Sequence, residues 1–571
     1  MVVRRAGMGR QLTRAQSPGY AGQGLAASLR SGGVQARRRE LANMLEADPD
    51  PLVELQLAQL DYICYEFDLA RQRAEAAFST LRRQGRRRAA ALAAAAIGRI
   101  YFEGLDNQAA ARGWFARGAT LLEGEGDCVE RGWVELGLVG CSVADVSRLA
   151  EQAAAAIELA RRHDDLNLEA KALADLGLAQ VSLGLVEEGT ARLDEAMAIV
   201  SSGEVSVFAA SQVVCCTLSA CERCGDLGRA EKWMRVLERA STARPDDDPP
   251  TLFSFCHIAY GNLLCEVGRW KDAEVALSLA RSTARRGFAN IRMGSAIGLA
   301  ELRLRQGRGE EAGSLLAQCG DRWETMPARA RLHYARGEFD LAAAVIKQAL
   351  DQVGTDRARG VPLLALLVDT ELARGNLVAA EDAAARAGEL SDVPELPAVQ
   401  AQGALARARV LLARASAEQA AQILRLALRR LQGTEMPILQ AALHRELAEA
   451  VAVSDQAMAI SEARAALAIH QHVGSPEAEA DVDLLRRLGV EVQYVPPPSH
   501  DPLAQLSRRE QDVLALLRQE LSNRLIGERL FISPRTAEHH VSTILSKLGL
   551  RSRIEVLALE LPLPSISASG A

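Results

Sequence analysis

Aromatic residues are scarce in this sequence: Phe, Trp and Tyr together make up 4% of its 571 residues. β-Sandwiches and β-barrels rely on bulky aromatic and β-branched side chains to fill the space between strands. The scarcity therefore argues against an architecture built from strands. Alanine is abundant throughout, which suits helices that pack closely. An all-α fold is predicted.

Long uncharged apolar runs are also lacking. The alanine-rich stretch at 89–97 is flanked by Arg88 and Arg99 and is much shorter than the roughly 18 residues of a membrane-spanning helix. The first residues show no apolar core followed by a small-residue cleavage site, so we predict no secretory signal. We therefore expect a cytoplasmic protein with no membrane partner, whose ten cysteines are reduced thiols.

Lysine is rare, with five residues in the whole chain, and none of them follows a glycine. A phosphate-binding P-loop requires Gly-Lys-Ser/Thr, so this class of ATPase is excluded. No other arrangement of residues suggests catalysis. His444 begins HRELA, for example, which lacks the second histidine of a zinc-peptidase helix. We predict a non-enzymatic protein without catalytic residues, bound metal or cofactors.

Charge is close to balanced overall but not locally. The chain carries 67 Lys and Arg against 73 Asp and Glu, a net charge of -6. Residues 1–40 contain eight arginines and one glutamate and are rich in glycine, glutamine and serine. We predict a basic flexible tail in this range.

One pattern recurs along most of the chain. A turn-forming residue is followed by a small residue at the fifth position, an apolar residue at the ninth and a small or apolar residue at the twelfth. The copies lie about 39 residues apart on average and start at Tyr65, Gly104, Asp145, Gly184, Gly225, Gly268, Gly307, Gly337, Gly375, Ala415 and Ser454. The fifth position holds alanine in ten copies and glycine in one. Because these offsets fall on one helical face, each copy predicts a helix that crosses its neighbour too closely for larger side chains.

Seven copies begin with glycine, the residue expected where a first helix ends in a left-handed cap before a second helix begins. Around Leu176-Gly177, Gly184 and Ala196 the pattern resembles the tetratricopeptide (TPR) repeat. The likeness covers roughly residues 50–470, with a period longer than the 34 residues of that family. The segment is also similar to the helical sensor superhelix of the maltose-regulon activator class. We predict a TPR-like α-solenoid over residues 41–490.

Stacked helix pairs of this kind create a long concave surface. We expect this surface to bind a small effector, a peptide or a protein; a spacer that binds nothing is the alternative. A metal or redox site is suggested by the close spacing of Cys215, Cys216, Cys221 and Cys224. These cysteines precede Gly225 on one continuous helix, where small apolar residues are needed for packing. We therefore predict that they belong to the core.

Four prolines within seven residues interrupt any helix after the repeats: Pro496, Pro497, Pro498 and Pro502. Such a segment forms a stiff, extended connector. We predict a linker at 491–503, a small domain at 504–562 and a flexible tail at 563–571.

Residues typical of helix N-termini predict three helices after the linker. Ser507 and Glu510 form a capping-box pattern ahead of the first helix. Ser522 caps a short second helix, and Ser533 followed by Pro534 begins a third. The third helix is expected to end near Gly549, with an apolar stripe of Ala537, Val541, Ile544, Leu545 and Leu548. A short turn before a helix with an exposed polar face predicts a helix-turn-helix.

This segment resembles the C-terminal DNA-binding domain of the LuxR family, a four-helix module. The likeness is carried by SRRE (507–510), SNRLI (522–526), LFISPRT (530–536), HHV (539–541) and SKLGLRSR (546–553). The resemblance implies that the DNA backbone is contacted by Ser533, Arg535, Thr536, Lys547 and Arg551. We expect the bases to be read from the outward face by Glu538, His539 and Ser542, with Glu538 accepting from cytosine. Gly527 replaces the family's usual alanine, which we expect to remove packing volume from the core.

Together these features predict a DNA-binding transcriptional regulator of LuxR type. Its partners would be double-stranded DNA and an effector or protein on the concave surface, and paired half-sites would require a dimer. The alternative is a helical-repeat adaptor whose helix-turn-helix serves assembly and not DNA binding.

Overall fold

The structure is a computed structural model and describes residues 31–141, 145–241, 254–283, 289–494, 506–519, 521–548 and Val556. All regular elements in these ranges are helices, as predicted. The described residues fall into two compact units, the first ending at Val490 and the second beginning at Glu491.

The first unit is a succession of helices joined by short turns. Its first half consists of α1 (Ser31–Ala47), α2 (Pro51–Ile63), α3 (Phe67–Arg83), α4 (Arg87–Arg99), α5 (Gln108–Leu121), α6 (Val129–Gly140), α7 (Val146–His163), α8 (Leu166–Leu183), α9 (Val186–Ser202), α10 (Val207–Cys224), α11 (Leu227–Ser241) and α12 (Ser254–Glu266). Its second half consists of α13 (Trp270–Thr283), α14 (Ala289–Arg305), α15 (Gly309–Ala317), α16 (Met326–Ala335), α17 (Phe339–Val353), α18 (Arg357–Ala373), α19 (Leu377–Leu390), α20 (Pro397–Ala413), α21 (Ala417–Arg430), α22 (Pro437–Val451), α23 (Gln456–Val473) and α24 (Ala478–Arg487).

Consecutive helices of this unit pack as TPR-like pairs, which confirms the predicted solenoid. The small residues of the pattern lie where two helices cross. A Cβ atom on Gly177 of α8 would lie 2.6 Å from the carbonyl oxygen of Gly189 on α9. The bulkier ninth-position residues fill the space beside these crossings and are fully buried: Leu193, Met234, Leu277, Leu316 and Ile346.

The repeat register is wrong in two of the weaker copies. The fifth-position residue is buried in the other nine copies, but Ala109 is exposed and Ala150 is only half-buried. On α5 the buried small residue is Ala111, because the left-handed turn lies at Asp106 and not at Gly104. Gly104 instead ends a π-helical turn after α4, where a Cβ atom would lie 2.5 Å from the Phe67 ring.

The other six glycine starts have the predicted left-handed backbone. Their φ angles lie between 73° and 94°, at Gly184, Gly225, Gly268, Gly307, Gly337 and Gly375. Glycine reaches this conformation without the steric cost that a Cβ atom imposes. These residues therefore end the first helix of a pair and allow the second helix to fold back against it.

Ion pairs link the first helices of successive pairs. Arg409 on α20 contacts Asp369 on α18 at 2.6 Å and Glu446 on α22 at 2.7 Å. Arg331 on α16 contacts Glu301 on α14 at 2.5 Å. Pairs with partial solvent access each stabilise a protein by about 1 kcal/mol or less. They therefore align the repeats, while apolar packing holds them together.

More distant repeats also touch each other. The side-chain amide of Asn290 donates to the carbonyl oxygen of Glu103 at 2.7 Å, across 187 residues. The backbone N–H of Glu187 donates to the Glu395 carboxylate at 2.7 Å, across 208 residues. The small rotation between successive pairs therefore accumulates until the chain contacts itself about five repeats later.

The first helix begins within the predicted basic tail. α1 starts at Ser31, and both Val34 and Leu41 are buried. The Arg38 guanidinium contacts the buried Asp61 carboxylate on α2 at 2.6 Å. Residues 31–40 are thus helical, which differs from the predicted flexible tail, because the buried side chains of Val34 and Leu41 and the ion pair of Arg38 with Asp61 hold this helix in place. The rest of that tail lies outside the described residues.

The four cysteines on α10 face different neighbours. Cys215 Sγ lies 3.8 Å from Cys256 Sγ, and Cys216 Sγ lies 3.6 Å from an Asp175 carboxylate oxygen. Burial raises the pKa of the Cys216 and Cys221 thiols, which keeps them protonated. Across the described ranges, no group of three His, Cys, Asp or Glu side chains is placed to hold a metal ion.

The second unit contains α25 (Arg508–Leu517), α26 (Asn523–Leu530) and α27 (Pro534–Lys547). Its core is formed by Leu506, Val513, Leu514, Leu517, Ile526, Ala537, Val541, Ile544 and Val556. The predicted prolines, Gly549 and the tail at 563–571 lie outside the described residues. In the part of the chain that the structure describes, no helix has both the length and the apolar character to cross a membrane.

Candidate nucleic-acid interface

The predicted caps of the three C-terminal helices are present. Ser507 and Glu510 form a reciprocal capping box, in which the Glu510 carboxylate accepts from the Ser507 backbone N–H at 2.7 Å. The Ser522 hydroxyl accepts from the Leu525 N–H at the start of α26. Ser533 Oγ accepts from the Thr536 N–H at 3.0 Å, with Pro534 at the first position of α27. These caps fix where each helix begins.

The turn between α26 and α27 is tightly held. The backbone N–H of Ile532 donates to the Gly527 carbonyl at 3.0 Å, and the Arg509 guanidinium donates to the Leu530 carbonyl. A Cβ atom on Gly527 would lie 2.7 Å from the Ile532 carbonyl oxygen. The expectation that this glycine leaves unfilled core volume is therefore wrong, because the turn occupies the space that a methyl group would need.

α27 has one buried and one exposed face, as predicted. Ala537, Val541 and Ile544 are buried, and Leu545 is half-buried beside them. The exposed residues include most of the predicted DNA contacts: Ser533, Arg535, Thr536, Glu538, His539 and Ser542. A helix in this setting can present its polar face to a major groove.

The three predicted base-reading residues lie together on this exposed face. Glu538 and His539 are adjacent, and Ser542 lies about one helical turn further along the face. No described residue forms a hydrogen bond with the Glu538 or Ser542 side chain. Both side chains can therefore hydrogen-bond to a ligand without first breaking a bond within the domain.

The start of α27 carries three of the residues predicted to contact DNA phosphates. The hydroxyls of Ser533 and Thr536 lie 2.7 Å apart, and Arg535 is exposed between them in the sequence. A helix N-terminus presents unpaired backbone N–H groups and partial positive charge, both of which favour an anion. The geometry at this end of α27 is suited to a phosphate.

Lys547 has a partner that the sequence did not reveal. Its Nζ contacts both carboxylate oxygens of Glu510, at 3.0 and 2.7 Å, and so joins the end of α27 to the start of α25. The hydrogen bond from Lys547 is the main reason why the pKa of Glu510 is lowered to about 2; the Ser507 N–H adds to it. The Lys547 side chain is 39% exposed, which leaves its ammonium within reach of solvent.

The remaining arginines of this domain differ in whether their side chains are already paired with a carboxylate. Arg524 is paired with Glu528 at 2.9 Å on the surface of α26, whereas Arg529 is exposed near the turn. Arg551, the fifth residue predicted to contact the DNA backbone, lies outside the described residues.

Comparison with known proteins identifies the class of this domain. Residues 504–559 match the sequence profile of bacterial regulatory proteins of the luxR family. The C-terminal unit is therefore a LuxR-type helix-turn-helix domain, as the sequence predicted.

Similar sequences are found among regulators. The transcriptional regulatory protein DegU of Brevibacillus brevis is 43% identical over 67 residues, which are 12% of this chain and 26% of DegU. The oxygen regulatory protein NreC of Staphylococcus aureus is 42% identical over 57 residues, 10% of this chain and 26% of NreC. This chain thus spans about a quarter of the length of these two relatives.

Two solved structures resemble this chain at low sequence identity. The APC/C hetero-tetramer Cut9-Hcn1 covers 93% of this chain with a TM-score of 0.43 and 13% identity. Yeast Tom70 covers 82% with a TM-score of 0.33 and 11% identity.

Proposed function

We propose that this protein is a DNA-binding transcriptional regulator that acts in the cytoplasm. One observation carries the proposal: α27 presents an exposed polar face behind a capped N-terminus, within a domain that matches the luxR profile. A helix of this kind positions base-reading side chains in a major groove while its N-terminus and flanking arginines neutralise phosphates.

The predicted DNA contacts on and around α27 have two proposed roles. Glu538, His539 and Ser542 read base edges, with the Glu538 carboxylate accepting from a cytosine amino group. The DNA backbone is contacted by Ser533, Arg535, Thr536, Lys547 and Arg551. Lys547 serves two purposes in this proposal, since it also holds Glu510. Its exposed ammonium adds long-range attraction to the phosphates.

The helical repeats would receive the signal. We propose that an effector or protein partner binds the first helices of the pairs and thereby changes how the C-terminal domain is presented or dimerised on paired half-sites. Support comes from the polar row formed by Asp369, Arg409 and Glu446 on three successive first helices. The three side chains are 15–21% exposed and pair with one another, so a polar ligand at this row would compete for their charges.

Selection of binding sites from random duplex DNA with the full-length chain tests the proposal, followed by anisotropy measurements at several salt concentrations. We expect salt-dependent affinity for duplex DNA. Arg535→Ala should weaken binding to all sequences and make the log–log salt slope shallower by about 0.9. Arg486→Ala is the matched control, because this exposed arginine lies in the repeat unit, where it is paired with Asp483 three residues away.

A folded chain with no salt-sensitive affinity for any duplex would contradict the proposal and favour the adaptor alternative. The dimer is tested separately by sedimentation of the complex with a selected site. A complex that contains one chain on paired half-sites would contradict dimeric binding.

A further inference from the structure

The turn between α26 and α27 exposes an aromatic ring. Phe531 is 96% exposed, and its backbone has a φ of 55°. Glycine is the usual residue at a left-handed helix cap, because a Cβ atom strains this conformation. A bulky side chain that is strained and also excluded from the core adds nothing to the packing of the domain. Its retention there suggests a contact outside the domain.

Other described residues with this backbone have a compensation that Phe531 lacks. They are Tyr65, Asp106, Asp164 and Ala415. The Tyr65 ring packs against Phe67, with 5.8 Å between centroids, and aspartate tolerates the left-handed region better than most residues. Ala415 has only a methyl group to accommodate. Phe531 combines a large ring with nearly complete exposure.

The backbone on both sides of the ring is fixed. The Leu530 carbonyl accepts from Arg509 on α25, and the Ile532 N–H donates to Gly527 on α26. Since the chain is held before and after Phe531, the ring projects from a rigid turn. The backbone at Phe531 is therefore held in place relative to the start of α27 before any ligand binds.

Two arginines and a helix N-terminus lie near this position along the chain. Ser533, the N-cap of α27, follows two residues later, and the exposed Arg529 and Arg535 lie two residues before and four residues after the ring. These groups favour an anionic ligand. In duplex DNA each phosphate is flanked by deoxyribose, which offers an apolar surface to an aromatic ring.

We propose that Phe531 packs against a deoxyribose of the DNA backbone, beside the phosphate bound at the N-terminus of α27. This inference rests on the proposed DNA-binding function. The charge around the turn favours DNA over an apolar protein partner, for which the flanking arginines would have no counterpart.

The test compares full-length wild type with Phe531→Gly. Glycine removes the ring and relieves the backbone strain, so we expect a melting temperature no lower than that of wild type. The Kd for duplex DNA should nevertheless rise about three- to tenfold, equally for a selected site and a random duplex. The salt slope should not change, because no charge is removed. Phe531→Tyr, which keeps the ring, should retain wild-type affinity.

Ala415→Gly is the matched control, because it relieves the strain of the same left-handed backbone conformation at a position in the repeat unit. It should leave DNA affinity unchanged. Unchanged affinity of the Phe531→Gly protein would overturn the inference and indicate a different partner. A loss restricted to one sequence would also overturn it, since that result denotes a base contact. Failure of the proposed function looks different, because wild type itself would then show no salt-dependent affinity.

Discussion

The ion pair between Lys547 and Glu510 makes the LuxR-type helix-turn-helix domain depend on a lysine that the sequence assigns to DNA contact alone. Lys547→Ala removes the ammonium that bonds both oxygens of a carboxylate whose side chain is 8% exposed. Among the contacts of the described residues, Glu510 then keeps its capping-box contact with Ser507. We expect the variant to loosen the junction between α25 and α27 in the absence of DNA.

The magnitude follows from the pKa of Glu510. Its pKa falls from an ordinary 4.5 to about 2 in the folded protein. At 1.36 kcal/mol per unit, the shift sets a ceiling of about 3 kcal/mol on the contribution to stability at neutral pH. Solvent screening at the partly exposed Lys547 reduces this, and part of the shift comes from Ser507. We therefore expect a loss of about 1–2 kcal/mol on removal of the lysine.

Hydrogen exchange measured by mass spectrometry can follow the α25 peptide within the full chain. A loss of about 1–2 kcal/mol corresponds to exchange roughly five- to thirtyfold faster. Arg524→Ala provides the control, since its pair with Glu528 lies on the exposed surface of one helix. Exchange in α25 of the Lys547→Ala protein within twofold of wild type would refute the reasoning.

The pH dependence of the same pair has a defined sign. The folded pKa of Glu510 is depressed, so the contribution of the pair is complete above about pH 4.5 and is lost as the pH falls towards 2. Protection of α25, corrected for intrinsic exchange rates, should therefore decline in that window in wild type. The decline should be smaller in Lys547→Ala, because the largest cause of the depression is gone.

Three further predictions concern recognition and packing. His539→Ala should alter the profile of selected DNA sites while preserving affinity for random duplex; an unaltered profile would exclude His539 as a base reader. Gly527→Ala should destabilise the C-terminal domain by about 1–3 kcal/mol, because its Cβ would lie 2.7 Å from the Ile532 carbonyl, and exchange in α26 and α27 would measure this. Gly177→Ala should lower the melting temperature of the repeat unit, because its Cβ would lie 2.6 Å from the Gly189 carbonyl oxygen. An unchanged melting temperature would show that α8 and α9 can move apart to accommodate the methyl group.

Much of the repeat architecture could be predicted because it is local. Small residues at a fixed offset from a turn determine how closely two adjacent helices cross, and Gly177 and Gly189 show that contact directly. The register was lost around Gly104, where a π-helical turn moves the real turn to Asp106. The repeat pattern does not contain this insertion, because Gly104 packs on Phe67, a residue of a preceding helix that lies outside the local pattern.

In the candidate interface, too, features set by neighbouring residues could be predicted and features set by distant contacts could not. The caps at Ser507 and Ser533 were predictable, since each depends on residues within one helical turn. The bond between Lys547 and Glu510 was not, because its partners lie 37 residues apart and meet only when α27 docks on α25. The exposure of Phe531 likewise depends on the three-dimensional turn and has no signature in the alternation of polar and apolar residues.

The long-distance bonds of the repeat unit have a consequence for how it unfolds. A linear array of repeats in which each unit touches only its neighbours can melt piecemeal from its ends. Here Asn290 is tied to Glu103, and Glu187 to Glu395. Loss of the C-terminal pairs would remove supports from the middle of the array as well as from its end. Denaturation of this unit should accordingly be more cooperative than that of an open row of helix pairs with the same number of members.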